Sequence, residues 1–101
     1  MIKFYIASLL AFSDMQFVEG SQIEHGTYTE CVPAFIPAES MENAAEQIRP
    51  LIFERWKPGD GWHTHQANIM ALGETQINAI KEALTSGVID TSEESPGTYN
   101  F

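Results

Sequence analysis

The order of apolar patterns along this chain predicts an α+β domain with element order β-β-α-β-α. The expected sheet has three strands, mixed, in order 2-1-3, with both helices on one face. Three observations carry this. Residues 2–12 form the longest near-continuous apolar run, residues 41–56 repeat apolar side chains every three or four positions, and residues 62–72 alternate at period two. A strand-helix-strand crossover makes the second and third strands parallel, and the first fits between them, antiparallel to both.

The run 2–12 is the expected central strand. One face carries Ile2, Phe4, Ile6, Ser8, Leu10 and Phe12, the other Lys3, Tyr5, Ala7, Leu9 and Ala11. A strand apolar on one side and half-apolar on the other belongs inside its sheet, with something over both faces. The bulkier face (Ile2, Phe4, Ile6, Leu10) is expected under the helices, which leaves Tyr5, Ala7 and Leu9 looking away.

Residues 13–25 mix polar groups with Met15, Phe17, Val18 and Ile23, too apolar for a solvated loop. They are expected to fold back over the sheet or to form a small irregular hairpin around Glu19, Gly20 and Ser21. Residues 27–36 are rich in β-branched and aromatic side chains and read as the second strand. Pro33 has no N–H for a ladder, so that strand is an edge or carries a bulge.

Ser40 is the expected N-cap of the first helix, with Glu42 favourable near its positive end. Met41, Ala44, Ala45, Ile48, Leu51, Ile52 and Trp56 make its apolar stripe. Pro50 removes a backbone donor inside that stripe, so a kink or restart is expected there. Lys57 to Gly61 is a stop and turn. In the third strand Ala67, Ile69 and Ala71 share one face, joined by His63 and His65 unless a bulge intervenes. A second helix follows, with Thr75 as cap, Ile77, Ile80 and Leu84 as buried stripe, and Gly87 as terminator. Residues 1–90 then form one domain, and 91–101 an acidic, turn-prone tail. The run from Ala38 through Glu39, Ser40, Met41, Glu42 and Asn43 to Ala44 resembles the strand-to-helix turn of small α+β families with ferredoxin-like or split βαβ topology. That resemblance implies no activity.

At 101 residues and 44% hydrophobic, the chain holds one modest core. Fourteen Asp and Glu against five Lys and Arg give a formal charge of −9, which repels nucleic-acid phosphates and anionic membranes. The single Cys31 cannot close an internal disulfide, and no apolar run approaches the ~20 residues of a membrane helix. A cytoplasmic protein is expected. Lys3 and the run to Phe12 imitate a signal peptide, but Asp14 interrupts it, so these residues are expected to be retained.

Chemistry-bearing patterns are few. His63 and His65, two apart on a strand, form the sharpest candidate, a metal site completed by His25, Glu30 or Cys31. The competing reading places both at the open end of the core beside Trp56, bonded to backbone. Cys31 has the same two readings, a nucleophile with a histidine partner or a small buried apolar residue. No phosphate loop or nucleophile elbow is present, and no cofactor is expected.

The expectation that follows is a non-enzymatic interaction module, a homodimer joined through the uncovered sheet face or an edge strand. Tyr5, Leu9, Trp62, Thr64, Gln66 and Asn68 are the expected interface, being amphipathic without charge. The alternatives are a small histidine-based enzyme or metal protein, and an acidic inhibitor that imitates nucleic acid.

Overall fold

Two 17-residue strands, β1 (Lys3–Glu19) and β2 (Gln22–Ala38), form one long antiparallel hairpin, from Lys3↔Ala38 to Glu19↔Gln22. Gly20, at φ 63°, supplies the left-handed residue that so tight a connection needs. The computed structural model describes residues 2–20, 22–80 and 90–101, with side chains for all of these except 15–19, 22–25, 79 and 80. After β2 come α1 (Met41–Arg55), a 3₁₀ turn (Pro58–Asp60), β3 (Trp62–Ala71), α2 (Glu74–Ile80) and β4 (Gly97–Asn100).

The sheet order is β2-β1-β3-β4, and every neighbouring pair is antiparallel, so the sheet is antiparallel rather than mixed as expected. β2 and β3 run parallel but are never neighbours, because β1 lies between them. The α+β class and the 2-1-3 core of the sheet are as expected. The strand count is corrected from three to four, because residues 97–100 of the expected tail pair with Gln66 to Ile69. β4 passes close under the helix: a Cβ at Gly97 would stand 2.6 Å from Met41 Sδ.

The hairpin outruns the rest of the sheet. β3 reaches only Ser13 on β1, so residues 14–19 and 22–27 continue as a two-stranded arm of roughly 20 Å. The longest dimension is accordingly 60 Å against 23 Å in the other two. The backbone of residues 13–19 and 22–25 is thus regular strand, rather than an irregular hairpin or a flap over the sheet.

α1 begins where Ser40 accepts from Asn43 N–H at 3.0 Å, as the cap chemistry predicts. It runs through Pro50 without a break; Pro50 and Glu46, whose carbonyl loses its partner, are both exposed. Met41, Ala44, Ala45, Ile48, Ile52 and Trp56 are buried, while Leu51, expected in that stripe, is exposed. The second helix starts two residues earlier than expected, at Glu74. Gly73 N–H donates to Gln76 Oε1 at 3.0 Å, which leaves Thr75 inside the first turn. Ile77 is buried outside the α1 core, whereas Leu84 and Gly87 lie outside the described residues.

The face under α1 is the reverse of the one expected for β1. Tyr5, Ala7, Leu9 and Ala11 are buried there with Ile36, Ala38, Ala67 and Ile69. Ile2 and Ile6 are exposed on the opposite side. The reason is steric. Ala7, Ala11, Ala38 and Ala67 make a shallow bed, so a helix carrying Ile48, Ile52 and Trp56 approaches closely and fills it.

The last residues strap this face. Glu94 accepts from Lys3 Nζ and from the Tyr5 hydroxyl, both at 3.0 Å, and Asp90 N–H bonds to Ile2 O.

Candidate interaction face

With α1 on one side, strand alternation assigns the other side of the sheet residue by residue. β1 contributes Phe4, Ile6, Ser8, Leu10 and Phe12, and β2 contributes Thr29, Cys31, Pro33, Phe35 and Pro37. β3 adds Thr64, Gln66, Asn68 and Met70, with Thr98 and Asn100 from β4. None of these is Asp, Glu, Lys or Arg, in a chain of charge −9; the next β1 residue on this side, Asp14, is exposed opposite Thr27 at the start of the arm.

The face has two halves. Toward β2 it is apolar: the Phe4 and Phe35 rings stack at 5.2 Å, and Phe35 and Ile6 are 47% and 40% exposed. Toward β4 it is amide and hydroxyl. Thr98 Oγ1 donates to Asn68 Oδ1 at 2.9 Å, and Gln66 Nε2 donates to Asn100 Oδ1 at 3.1 Å. Where the halves meet, a cleft of about 510 Å³ opens between Ile6, Ser8, Asn68, Met70, Pro96 and Thr98. Met70, at its rim, is 46% exposed.

Of the expected interface residues, Thr64, Gln66 and Asn68 lie on this face. Tyr5 and Leu9 do not: they are core residues, 0% and 5% exposed. Trp62 is corrected as well. β3 pairs Phe12 with Thr64 but Ser13 with Trp62, so His63 is the extra residue of a bulge and Trp62 turns to the helix side. There it packs half-buried beside Trp56, at 6.1 Å, and Tyr28, at 5.9 Å. Cys31 is exposed opposite Leu10, which removes the reading of it as a small buried apolar residue.

The same bulge separates the histidines. His65 is buried on the helix side, against Phe53 at 4.5 Å, and its Nε2 lies 2.6 Å from the carbonyl oxygen of Trp56. A carbonyl only accepts, so that nitrogen carries the proton. This is the capping role beside Trp56 that the competing reading gives it. His63 is exposed, with Nε2 3.3 Å from Asp14 Oδ1 and Nδ1 2.8 Å from Thr64 Oγ1.

His25 pairs with Gln16, five positions along β1 from Ala11, the partner of His65, or roughly 17 Å. Its side chain lies outside the described residues. Glu30 stands across Ala11 from His65, but it accepts from Trp56 Nε1 at 2.5 Å and from the Tyr28 hydroxyl at 3.2 Å. That bond to Glu30 is the main cause holding the Tyr28 phenol above its ordinary pKa. Among the described residues, no three His, Cys, Asp or Glu converge as metal ligands.

The sheet edges are blunted where the face is open. β2 is an edge strand, as Pro33 requires, and Pro37 lies four residues on, with its missing N–H on the same side. The β1 ladder passes both, at Ser8↔Pro33 and Phe4↔Pro37, so the missing donors fall on the outer edge. The opposite edge, β4, is four residues long.

Phe4, Ile6, Leu10, Phe12, Phe35 and Met70 are residues of this open face that the expected set does not include. Their signal was present as the alanines. Ala7 and Ala11 share the phase of Tyr5, and their partners Ala34, Ile69 and His65 continue that row across the sheet. No helix among the described residues is long and apolar enough to cross a membrane. Comparison with known protein families, with curated proteins and with solved structures finds no match for this chain.

Proposed function

We propose that this chain is a small non-enzymatic interaction module whose role is self-association through the open face of its sheet. The observation that supports it is the absence of Asp, Glu, Lys and Arg from the four-stranded part of that face. Two molecules at −9 repel each other over most orientations and approach best where neither presents a carboxylate. The size suits the role. Three strands of about nine residues and the four-residue β4, at ~4.8 Å spacing and ~3.4 Å rise, project to roughly 500 Å², and side-chain relief raises this toward the ~800 Å² per partner of a standard stable interface. The prolines of β2 and the shortness of β4 favour the face over the edges.

The histidine-based alternative loses its geometric support, since His63 and His65 lie on different sides of the sheet.

Ile6→Lys tests the reading. Ile6 is 40% exposed, so the monomer keeps its fold, while in a two-fold dimer the change places two ammonium groups in a dry interface. Association measured by sedimentation velocity is expected to weaken at least ~100-fold, with the circular dichroism spectrum unchanged. Unaltered association in that variant would remove the face from consideration.

A further inference from the structure

The open face carries both a ridge and a hollow, and they are level with each other. Phe35 pairs with Ile6 on β1, and Ile6 pairs with Met70 on β3, so the three form one row across the sheet. At the β2 end of the row, Phe35 stacks on Phe4 and projects. At the other end lies the cleft bounded by Ile6, Ser8, Asn68, Met70, Pro96 and Thr98. Resting on the reading of this face as the self-association surface, we infer that a second copy seats its Phe35 in this cleft, against Met70, about a two-fold axis running along β1.

The geometry follows from the strand order. Turning one sheet over about an axis parallel to β1 carries its β2 side across the β3–β4 side of the other and keeps each row at its own height. Phe35 of each copy then meets Met70 of the second copy, twice in one interface. That reciprocity is what an isologous contact requires: residue i meets j and j meets i. The strands of the two sheets run nearly aligned, the usual arrangement when sheets stack face to face. An aromatic ring against a thioether is a favourable filling for an irregular hollow. Ser8, Asn68 and Thr98 line the polar wall, where Thr98 already donates to Asn68. The ring therefore enters without stranding that hydroxyl proton.

The test is a charge-swap complementation. Phe35→Asp and Met70→Lys, each at a residue about half exposed, keep the monomer fold, checked by circular dichroism. Each alone is expected to weaken dimerisation at least ~100-fold, measured by sedimentation. Mixed in equal amounts, the two variants are expected to form a heterodimer, resolved by native mass spectrometry, with affinity recovered to within ~10-fold of the unmodified chain. In it one seat holds Asp against Lys and the other the original Phe against Met. An unmodified chain that dimerises while either variant does so equally well, or while the mixture shows no recovery, overturns this seat but leaves the face as interface. An unmodified chain that stays monomeric overturns both readings.

Discussion

Replacing Trp56 with alanine is expected to cost about 3–5 kcal/mol of unfolding free energy. The indole is 1% exposed, packs 6.1 Å from Trp62 and donates from Nε1 to Glu30. Its loss leaves a cavity at the last turn of α1 and takes from Glu30 one of its two donors. A domain of this size has roughly 5–15 kcal/mol in total, so the variant stands near the edge of folding. Trp56→Phe keeps most of the bulk but not the N–H, and about 1–2 kcal/mol is expected. Urea titrations at one fixed protein concentration measure both, since association shifts the apparent midpoint. A loss below about 1 kcal/mol for the alanine variant would place Trp56 outside the core.

Glu94→Ala is the second large effect, expected at about 2–3 kcal/mol. Glu94 is the partner of Lys3, whose side chain is only 9% exposed, and it also accepts from the Tyr5 hydroxyl. Without the carboxylate, a nearly buried ammonium has lost its counter-charge. Converting Lys3 to Met in the same molecule is expected to recover most of the loss, because an apolar pair of similar shape is close to neutral. A neutral Glu94→Ala would show that the C-terminal strap is held by other contacts. The same trio sets a pH limit. Burial first, then the bond to Glu94, hold the Tyr5 phenol above its ordinary value of 10.0. The folded state therefore keeps that proton more tightly than the unfolded chain. This contribution is complete below about pH 10 and is lost as pH rises through the range above it.

The elements with long, strong periodicity were legible in the sequence. The central place of β1, the 2-1-3 order, the Ser40 cap, the burial of Ile48, Ile52 and Trp56, and the edge position of β2 all follow from local chemistry. The orientation of β1 was not, because both of its faces are apolar and the larger side chains suggested the core side. What decides between them is the thickness of α1. The helix brings its own bulk and needs the alanine bed, so Phe4, Ile6 and Leu10 are left outside. The bulge at His63 has no sequence signature, yet it reverses the reading of Trp62 and divides the histidine pair. β4 was missed because four residues after a turn-prone acidic stretch carry too little pattern; only the spacing of Tyr99 and Phe101 marks it. The arm was missed because polar residues interrupt its apolar ones, and such a ribbon is specified by pairing rather than by a buried face.

Sedimentation equilibrium of the unmodified chain, at low and at raised salt, tests the central claim most directly. The monomer mass is 11.3 kDa. The predicted result is a reversible dimer whose affinity rises with salt, because screening removes the repulsion between two −9 molecules while the uncharged four-stranded part of the face loses nothing. A single monomeric species up to high micromolar concentration at both ionic strengths would contradict the claim.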